Sequence, residues 1–222
     1  MTIVAKPLPV SLGFDTSENM NAQQYAFLAS KGYQWGCRYV PLSGQSPTMY
    51  GVIQKSELDV ALAAKFGMMF VQFARMSGWS VSVGLADGKM AAQYLLSLGV
   101  PNNVCLWADL GVTPTAQAAI DYMNAWYEGT IEGGMLASAA GVYMEPGVPL
   151  NASDRYNKLH LHRYWATAAN DPNKIPSNRG CQLLQAWGSK QGQFFPEPGL
   201  VIDGDFAQMD YFGDVPIAAF GA

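Results

Sequence analysis

Five carboxylates stand at or just past the ends of apolar runs: Asp15 in SLGFDT, Asp109 in NVCLWADL, Glu145 in AAGVYME, and Asp203 and Asp205 in LVIDGDF. Carboxyl groups held in different environments can divide acid/base work between them, one giving a proton and another taking one. We therefore take Asp15, Asp109, Glu145 and Asp205 as candidate catalytic acids. Aromatic, amide and cationic side chains accompany them in the same runs: Arg38 and Tyr39, Gln72, Tyr143, Trp165, Gln185 and Trp187. Aromatic faces stack on sugar rings, while amides and the remaining acid, Asp203, read hydroxyls, so these eight residues form the expected substrate-binding set. Each tryptophan could equally be core.

Other chemistries find no support. There is no G-x-S-x-G nucleophile elbow and no G-x-x-x-x-G-K-[ST] phosphate loop. The two histidines, His160 and His162 in LHLHR, lack an evident third ligand, so no metal is expected, and acid/base work falls to carboxylates. No cofactor is expected either. Cys37, Cys105 and Cys181 are odd in number and lie in apolar segments without CxxC spacing, which reads as buried free thiols of a reducing compartment.

These residues are carried by strand-like and helix-like segments in alternation. Ser11–Thr16 is followed by a helix from Asn21, with Gln24 three positions on, to about Gly32. Trp35–Pro41 precedes a helix opened by Ser56, and Gly67–Ala74, a continuous apolar run, precedes a helix around Asp87–Leu98. Asn103–Leu110 leads into a helix introduced by Thr113-Pro114. Ala139–Glu145 is the fifth strand, with a short helix or turn over Tyr156–Arg163. Tyr164–Ala169, Cys181–Trp187 and Leu200–Phe206 complete eight strands, joined in the last third by Asn/Pro/Gly loops without a helical pattern. Eight units averaging about 28 residues fit a compact α/β protein, a (β/α)8 TIM-like barrel with parallel strands, irregular in its last third. The rival is an open doubly wound sheet, but its first turn would be glycine-rich, and Gly13-Phe14-Asp15-Thr16-Ser17 has one glycine. A single domain over 1–222, with its core at 11–206, is the simplest organisation.

The 222 residues include 13 Lys+Arg and 17 Asp+Glu, a net charge of −4, and are 50% hydrophobic, which excludes a charge-driven disordered chain. Scattered basic residues give no footprint for nucleic acid. Pro7 and Pro9 break any signal-peptide-like run, and Met90–Ala108 is interrupted by polar residues and Pro101, so neither a signal peptide nor membrane insertion is expected. A protein made in the cytoplasm and acting elsewhere would then leave by lysis or through a secretion or injection system. The sequence leaves the oligomeric state open.

In this order, SLGFDTS, CRYVP, LWADL, GVYME, LLQAW and VIDGDF resemble the landmarks of the glycoside-hydrolase-like barrel domain related to family 25 lysozymes. The resemblance implies a barrel whose C-terminal face binds a polysaccharide such as the bacterial cell-wall glycan, with Asp15 matching the first-strand acid, Asp109 the first acid of the fourth-strand pair, and Asp203 or Asp205 the last strand. The second acid of that pair, the proton donor in the lysozymes, falls on Gly111. Glu145 on the adjacent strand could replace it, Asp109 could itself be the acid, or the domain could be an inactive glycan-binding, phage-structural or effector component. A small-molecule enzyme on an unrelated α/β sheet is the third reading.

Overall fold

A computed structural model of the chain describes residues 2–111, 115–167, 174–187 and 200–222. Among the described residues, ten strands and five α-helices follow one another as β1 (Ile3–Pro7), β2 (Ser11–Thr16), α1 (Ala22–Ser30), β3 (Trp35–Val40), α2 (Lys55–Ala63), β4 (Gly67–Gln72), α3 (Val81–Ser97), β5 (Leu106–Leu110), α4 (Ala116–Glu132), β6 (Ala140–Met144), α5 (Ala152–Lys158), β7 (Tyr164–Thr167), β8 (Leu183–Trp187), β9 (Asp203–Ala207) and β10 (Ile217–Gly221). Strands β2 to β9 form a closed barrel in the order β4-β3-β2-β9-β8-β7-β6-β5, shut by the pairing of β4 with β5. The expected TIM-like barrel is therefore present, with one change of direction: β9 runs antiparallel to both β2 and β8. Parallel neighbours need a crossover, usually a helix. The sequence between Trp187 and Asp203 has no helical pattern and two prolines, which suits a direct antiparallel return.

Two strands escape the sequence reading. β1 and β10 pair antiparallel with each other, and β10 touches β4 at Ala219↔Met68, extending the sheet outside the barrel. Helix starts also differ. Asn21 caps α1 in the expected capping box with Gln24. Helix α2 begins at Lys55 after Gln54. Helix α3 begins at Val81, because the Ser80 hydroxyl accepts from Val83 N–H, well before the apolar stripe at Asp87. Thr115 caps α4, whereas Thr113 and Pro114 lie outside the described residues, as do Ala168 and Ala169 of the sixth expected strand. The short helix after β6 is centred earlier than Tyr156–Arg163, starting from an Asn151/Asp154 capping box.

Strand alternation divides the apolar residues into two sets. Trp35, Cys37, Met69, Val71, Cys105, Trp107, Trp165, Leu183 and Ala207 fill the barrel interior, while Phe14, Val40, Met68, Phe70, Leu106 and Val142 face the helices. The interior holds three tryptophans because two neighbours are glycine: a Cβ on Gly13 would lie 2.0 Å from Trp35, and one on Gly141 would lie 2.4 Å from Trp107. Each buried tryptophan removes roughly 150–250 Å² from water, an upper bound of about 4–6 kcal/mol. On the outside, α3 and α4 approach backbone to backbone along Gly84, Gly88, Gly129 and Gly133, and a Cβ on Gly88 would stand 2.0 Å from the Trp126 carbonyl oxygen.

Candidate active site

The inward alternation that buries the tryptophans also brings acids to the end of the barrel where the parallel strands finish. Asp15 pairs in register with Asp203 across β2 and β9, and Asp205, two residues along β9, lies between Gly13 and Gln185. Gln185 ties the upper acids together: its Nε2 donates to Asp15 Oδ2 at 3.0 Å and to Asp203 Oδ2 at 3.2 Å, while its Oε1 accepts from the Tyr143 hydroxyl at 2.9 Å. A cleft of about 170 Å³ opens above, lined by Asp15, Thr16, Ser17, Tyr39, Val201, Ile202 and Asp203. The Thr16 hydroxyl donates to the Val201 carbonyl, fastening one wall to the segment that enters β9.

On the far side, Asp109 at the end of β5 is in register with Tyr143 of β6. Leu110 pairs with Met144, the last paired residues of the two strands, and Gly111 and Glu145 follow them directly in the chain. A Cβ on Gly111 would meet the Ala74 Cβ at 3.3 Å, so the β4–α3 connection closes over the place where a second acid on β5 would begin.

Burial governs the titration of these groups. Asp15 is pushed up to about 7, first by desolvation and then by the charge of Asp203, against hydrogen bonds from Gln185 and Asp205 and the charge of Arg38. Asp109 is raised well above the usual carboxylate range by desolvation, then by Glu145 and Asp15, and its buried Oδ1 has no hydrogen-bond partner among the described residues. Asp205 is raised by burial, by the charge of Asp15 and by the hydrogen bond it shares with Asp15, while the Trp165 indole opposes this. Burial also raises the phenols of Tyr39 and Tyr143, so they stay protonated donors. The site thus offers carboxyl groups that hold their protons more tightly than free carboxyls do, Asp15 up to about 7, beside two amphipathic rings.

The eight expected substrate-binding residues separate into groups. Tyr39, Tyr143, Gln185 and Asp203 are half-buried around the cleft. Trp165 is 1% exposed and lies beneath it, its ring 4.7 Å from Tyr143 and its Nε1 donating to Asp205 Oδ1 at 3.0 Å. Arg38 and Gln72 face the helices instead. Arg38 pairs with Glu57 of α2, Nε to Oε1 at 2.6 Å, and donates to the Thr16 carbonyl. Gln72 donates to the carbonyls of Pro41 and Asp87 and accepts from the Trp126 indole. Both occupy even-numbered positions, in the outward phase of β3 and β4, a parity the sequence displays. Trp187 ends β8, opposite Gly204, but its side chain lies outside the described residues.

Thr16, Ser17, Val201 and Ile202 also line the cleft, without having been among the expected site residues. Asp87 too lies outside that set; it is wholly buried behind β3 and β4 and accepts from Ser43 N, Tyr122 and both ends of the Arg75 guanidinium. The only available signal for Asp87 was an acid inside an apolar helical stripe. His160 and His162 are remote from the acids, in a separate pocket with Arg163 and Arg179, and no group of His, Cys, Asp and Glu able to hold a metal occurs among the described residues. All three cysteines are buried free thiols.

Several solved structures share this architecture. A Tat-secreted protein of Mycobacterium tuberculosis, crystallised with L-tartrate, matches 92% of this chain and 98% of its own, with a TM-score of 0.66 and 16% identity. A family GH25 lysozyme from Aspergillus fumigatus matches 90% of this chain and 94% of its own, with a TM-score of 0.58 and 14% identity. A modular autolysin of Streptococcus pneumoniae, solved with a synthetic peptidoglycan ligand, matches 90% of this chain over 47% of its own, with a TM-score of 0.60 and 11% identity. The barrel is a GH25-like glycoside hydrolase fold. No protein-family profile matches the sequence, and no curated protein matches it.

Proposed function

From a fold shared with lysozymes and muramidases, we propose that this protein hydrolyses a glycan of the peptidoglycan type, with Asp109 as general acid and Asp15 as the base or stabilising carboxylate. What supports the reading is that these two acids stand on inward-facing positions at the same end of the barrel, on β2 and β5, and that the charge of Asp15 is among the causes that raise Asp109. Asp109, whose proton is held more tightly than that of a free carboxyl by burial and by the nearby charges, gives its proton to the leaving glycosidic oxygen. Asp15, ionised above about pH 7, faces the positive charge that develops on the sugar, or takes the proton of the attacking water. Burial, and then the charge of Glu145, favours the protonated form of Asp109. Tyr39, Tyr143 and Asp203 bind sugar rings and hydroxyls, and Gln185 orients Asp15. Arg38 and Gln72 brace the wall from behind, and Trp165 supports the floor.

Purified peptidoglycan is the test substrate. Asp109→Asn should reduce fragment release by roughly a hundred- to ten-thousand-fold without altering the fold, the range expected for a lost general acid. Glu145→Gln should have a smaller effect, and the reverse order would exchange the two roles. No release at high protein concentration would overturn hydrolysis. In that event binding to the wall without turnover would favour the second reading, a glycan-binding relative, which rests on glycine at 111. A wall-directed protein reaches its substrate by lysis, by an injection machine or by export; one structural neighbour is Tat-secreted. Among the described residues no helix is long and apolar enough to cross a membrane.

A further inference from the structure

The two histidines that the acid chemistry leaves unused share a pocket at the opposite end of the barrel. It measures about 290 Å³ and lies where β6 and β7 begin, between α4 and the turn that joins β9 to β10. Two arginines line it, and their charges are balanced differently. Arg179 is neutralised twice: its Nε lies 2.9 Å from Asp210 Oδ2, and its Nη2 donates to Asp214. Arg163, 9% exposed, has no carboxylate within ion-pair distance among the described residues. Its Nε donates to the Ser138 carbonyl at 2.5 Å and its Nη1 to the Val215 carbonyl at 2.9 Å. A guanidinium carries more N–H donors than these two acceptors use, and a buried cation held by neutral carbonyls alone lacks the counter-charge that normally accompanies it. Arg155 shares this lack but is 0% exposed, whereas Arg163 borders a pocket that a ligand can enter.

We propose that this pocket is a second binding site, which takes the phosphate or carboxylate group of a small ligand on the Arg163 guanidinium, with His160 and His162 as further donors. The bound oxyanion supplies the charge that Arg163 lacks, and Tyr127, Ala140 and Leu161 offer apolar surface to the rest of the ligand. The groups around the histidines come from several elements. On α4, the Glu128 carboxylate lies 3.7 Å from His160 Nδ1 and the Tyr127 ring stands edge-on to the imidazole. His162 meets the Tyr156 ring of α5, has the Tyr164 hydroxyl of β7 3.5 Å from its Nδ1, and feels the charge of Arg179, while Asp214 lines the same pocket from the β9–β10 turn. Burial, and then Arg179, hold His162 below the usual imidazole range. An anion seated beside it opposes both, so binding draws a proton onto His162.

This site stands or falls apart from the proposed glycan hydrolysis. His160 and His162 are the only histidines in the chain, so the imidazole C–H signals in proton NMR of the intact protein report on this pocket alone. At pH 7 and constant ionic strength, titration with inorganic phosphate, and separately with acetate, should move these signals saturably with at least one of the two anions, and the comparison tells which headgroup is preferred. At saturation the His162 midpoint should rise by roughly half to one pH unit. Arg163→Gln should weaken binding about tenfold or more. Asp214→Asn, at a half-exposed position on the turn, removes a like charge from the pocket and should tighten binding roughly two- to fivefold, a gain that misfolding cannot produce. Shifts that fail to saturate with either anion overturn the site, and that result needs no variant. A folded Arg163→Gln protein that binds like wild type also overturns it, and if that variant does not fold, Asp214→Asn decides: unchanged or weaker binding overturns the site.

Discussion

Replacing Asp15 by Asn should stabilise the protein at high pH and not at low pH. In the folded chain the Asp15 carboxyl titrates at about 7 rather than 3.8 because it is buried beside Asp203. Between those values the folded state retains a proton that the unfolded chain releases, so stability falls as pH rises through this window and levels off above about 7. A shift of about three pKa units corresponds to a component on the order of 4 kcal/mol, absent below pH 4 and fully developed by pH 8. Asparagine has nearly the same shape and never ionises, so the variant lacks this component. Its amide carries a fixed penalty where it meets the Gln185 donor, but that penalty does not vary with pH. The readout is therefore the difference between two differences: variant minus wild-type unfolding free energy in urea, at pH 8 minus pH 4. An increase of about 3–5 kcal/mol is expected, equivalent to roughly 6–20 °C in Tm for a chain of this size. A value near zero, or a decrease, would show that Asp15 is not held proton-rich by its surroundings, and the acid/base assignment would fall with it.

Two further changes probe the site and its scaffold. Gln185→Leu removes the donor to Asp15 Oδ2, so the acid limb of kcat/KM should rise from about 7 by roughly half to one unit; a limb that stays or falls would refute the role given to Gln185. Gly88→Ala places a methyl group against the Trp126 carbonyl. Overpacking there should destabilise the protein by about 1–3 kcal/mol in urea, even after the better helix propensity of alanine; unchanged stability would mean that α3 and α4 tolerate a wider separation.

Much of this architecture is legible in the sequence because burial on both faces of a strand leaves nearly uncharged runs. GMMFVQ and LWADL announce β4 and β5 in that way. Direction is not written in such runs: LVIDGDF would look the same parallel or antiparallel, and the reversal of β9 depends on how the chain returns from β8. β1 and β10 are short and lie outside the barrel, where IVAKP and IAAFG stabilise each other only once the ends of the chain meet. Asp15, Asp203, Gln185 and Tyr143 could be picked out as polar groups at the ends of apolar runs. Arg38 and Gln72 carry the same signal, and only the phase of each strand, inward at Tyr39 and outward at Arg38, separates them. Depth is harder still: Asp203 and Asp205 share one face of one strand, and nothing local shows that one meets the cleft and the other the tryptophan floor.

The antiparallel return of β9 also bears on how the protein comes to fold. β2 is the first barrel strand made and β9 the last, and the bond from Gln185 to Asp15 joins residues 170 apart. The consecutive β3-α2-β4-α3-β5-α4-β6 units can pair with near neighbours as they form, whereas the seam uniting Asp15 with Asp203 and Asp205 waits for most of the chain. Loop-closure entropy grows only slowly with length, so distance along the chain is a modest obstacle. The concentration of carboxylates at the seam is a second one, and it weakens as they take up protons. Acidic conditions should therefore ease the final closure, and the acids assembled at the mouth of the barrel exist as a group only after the last strand has docked.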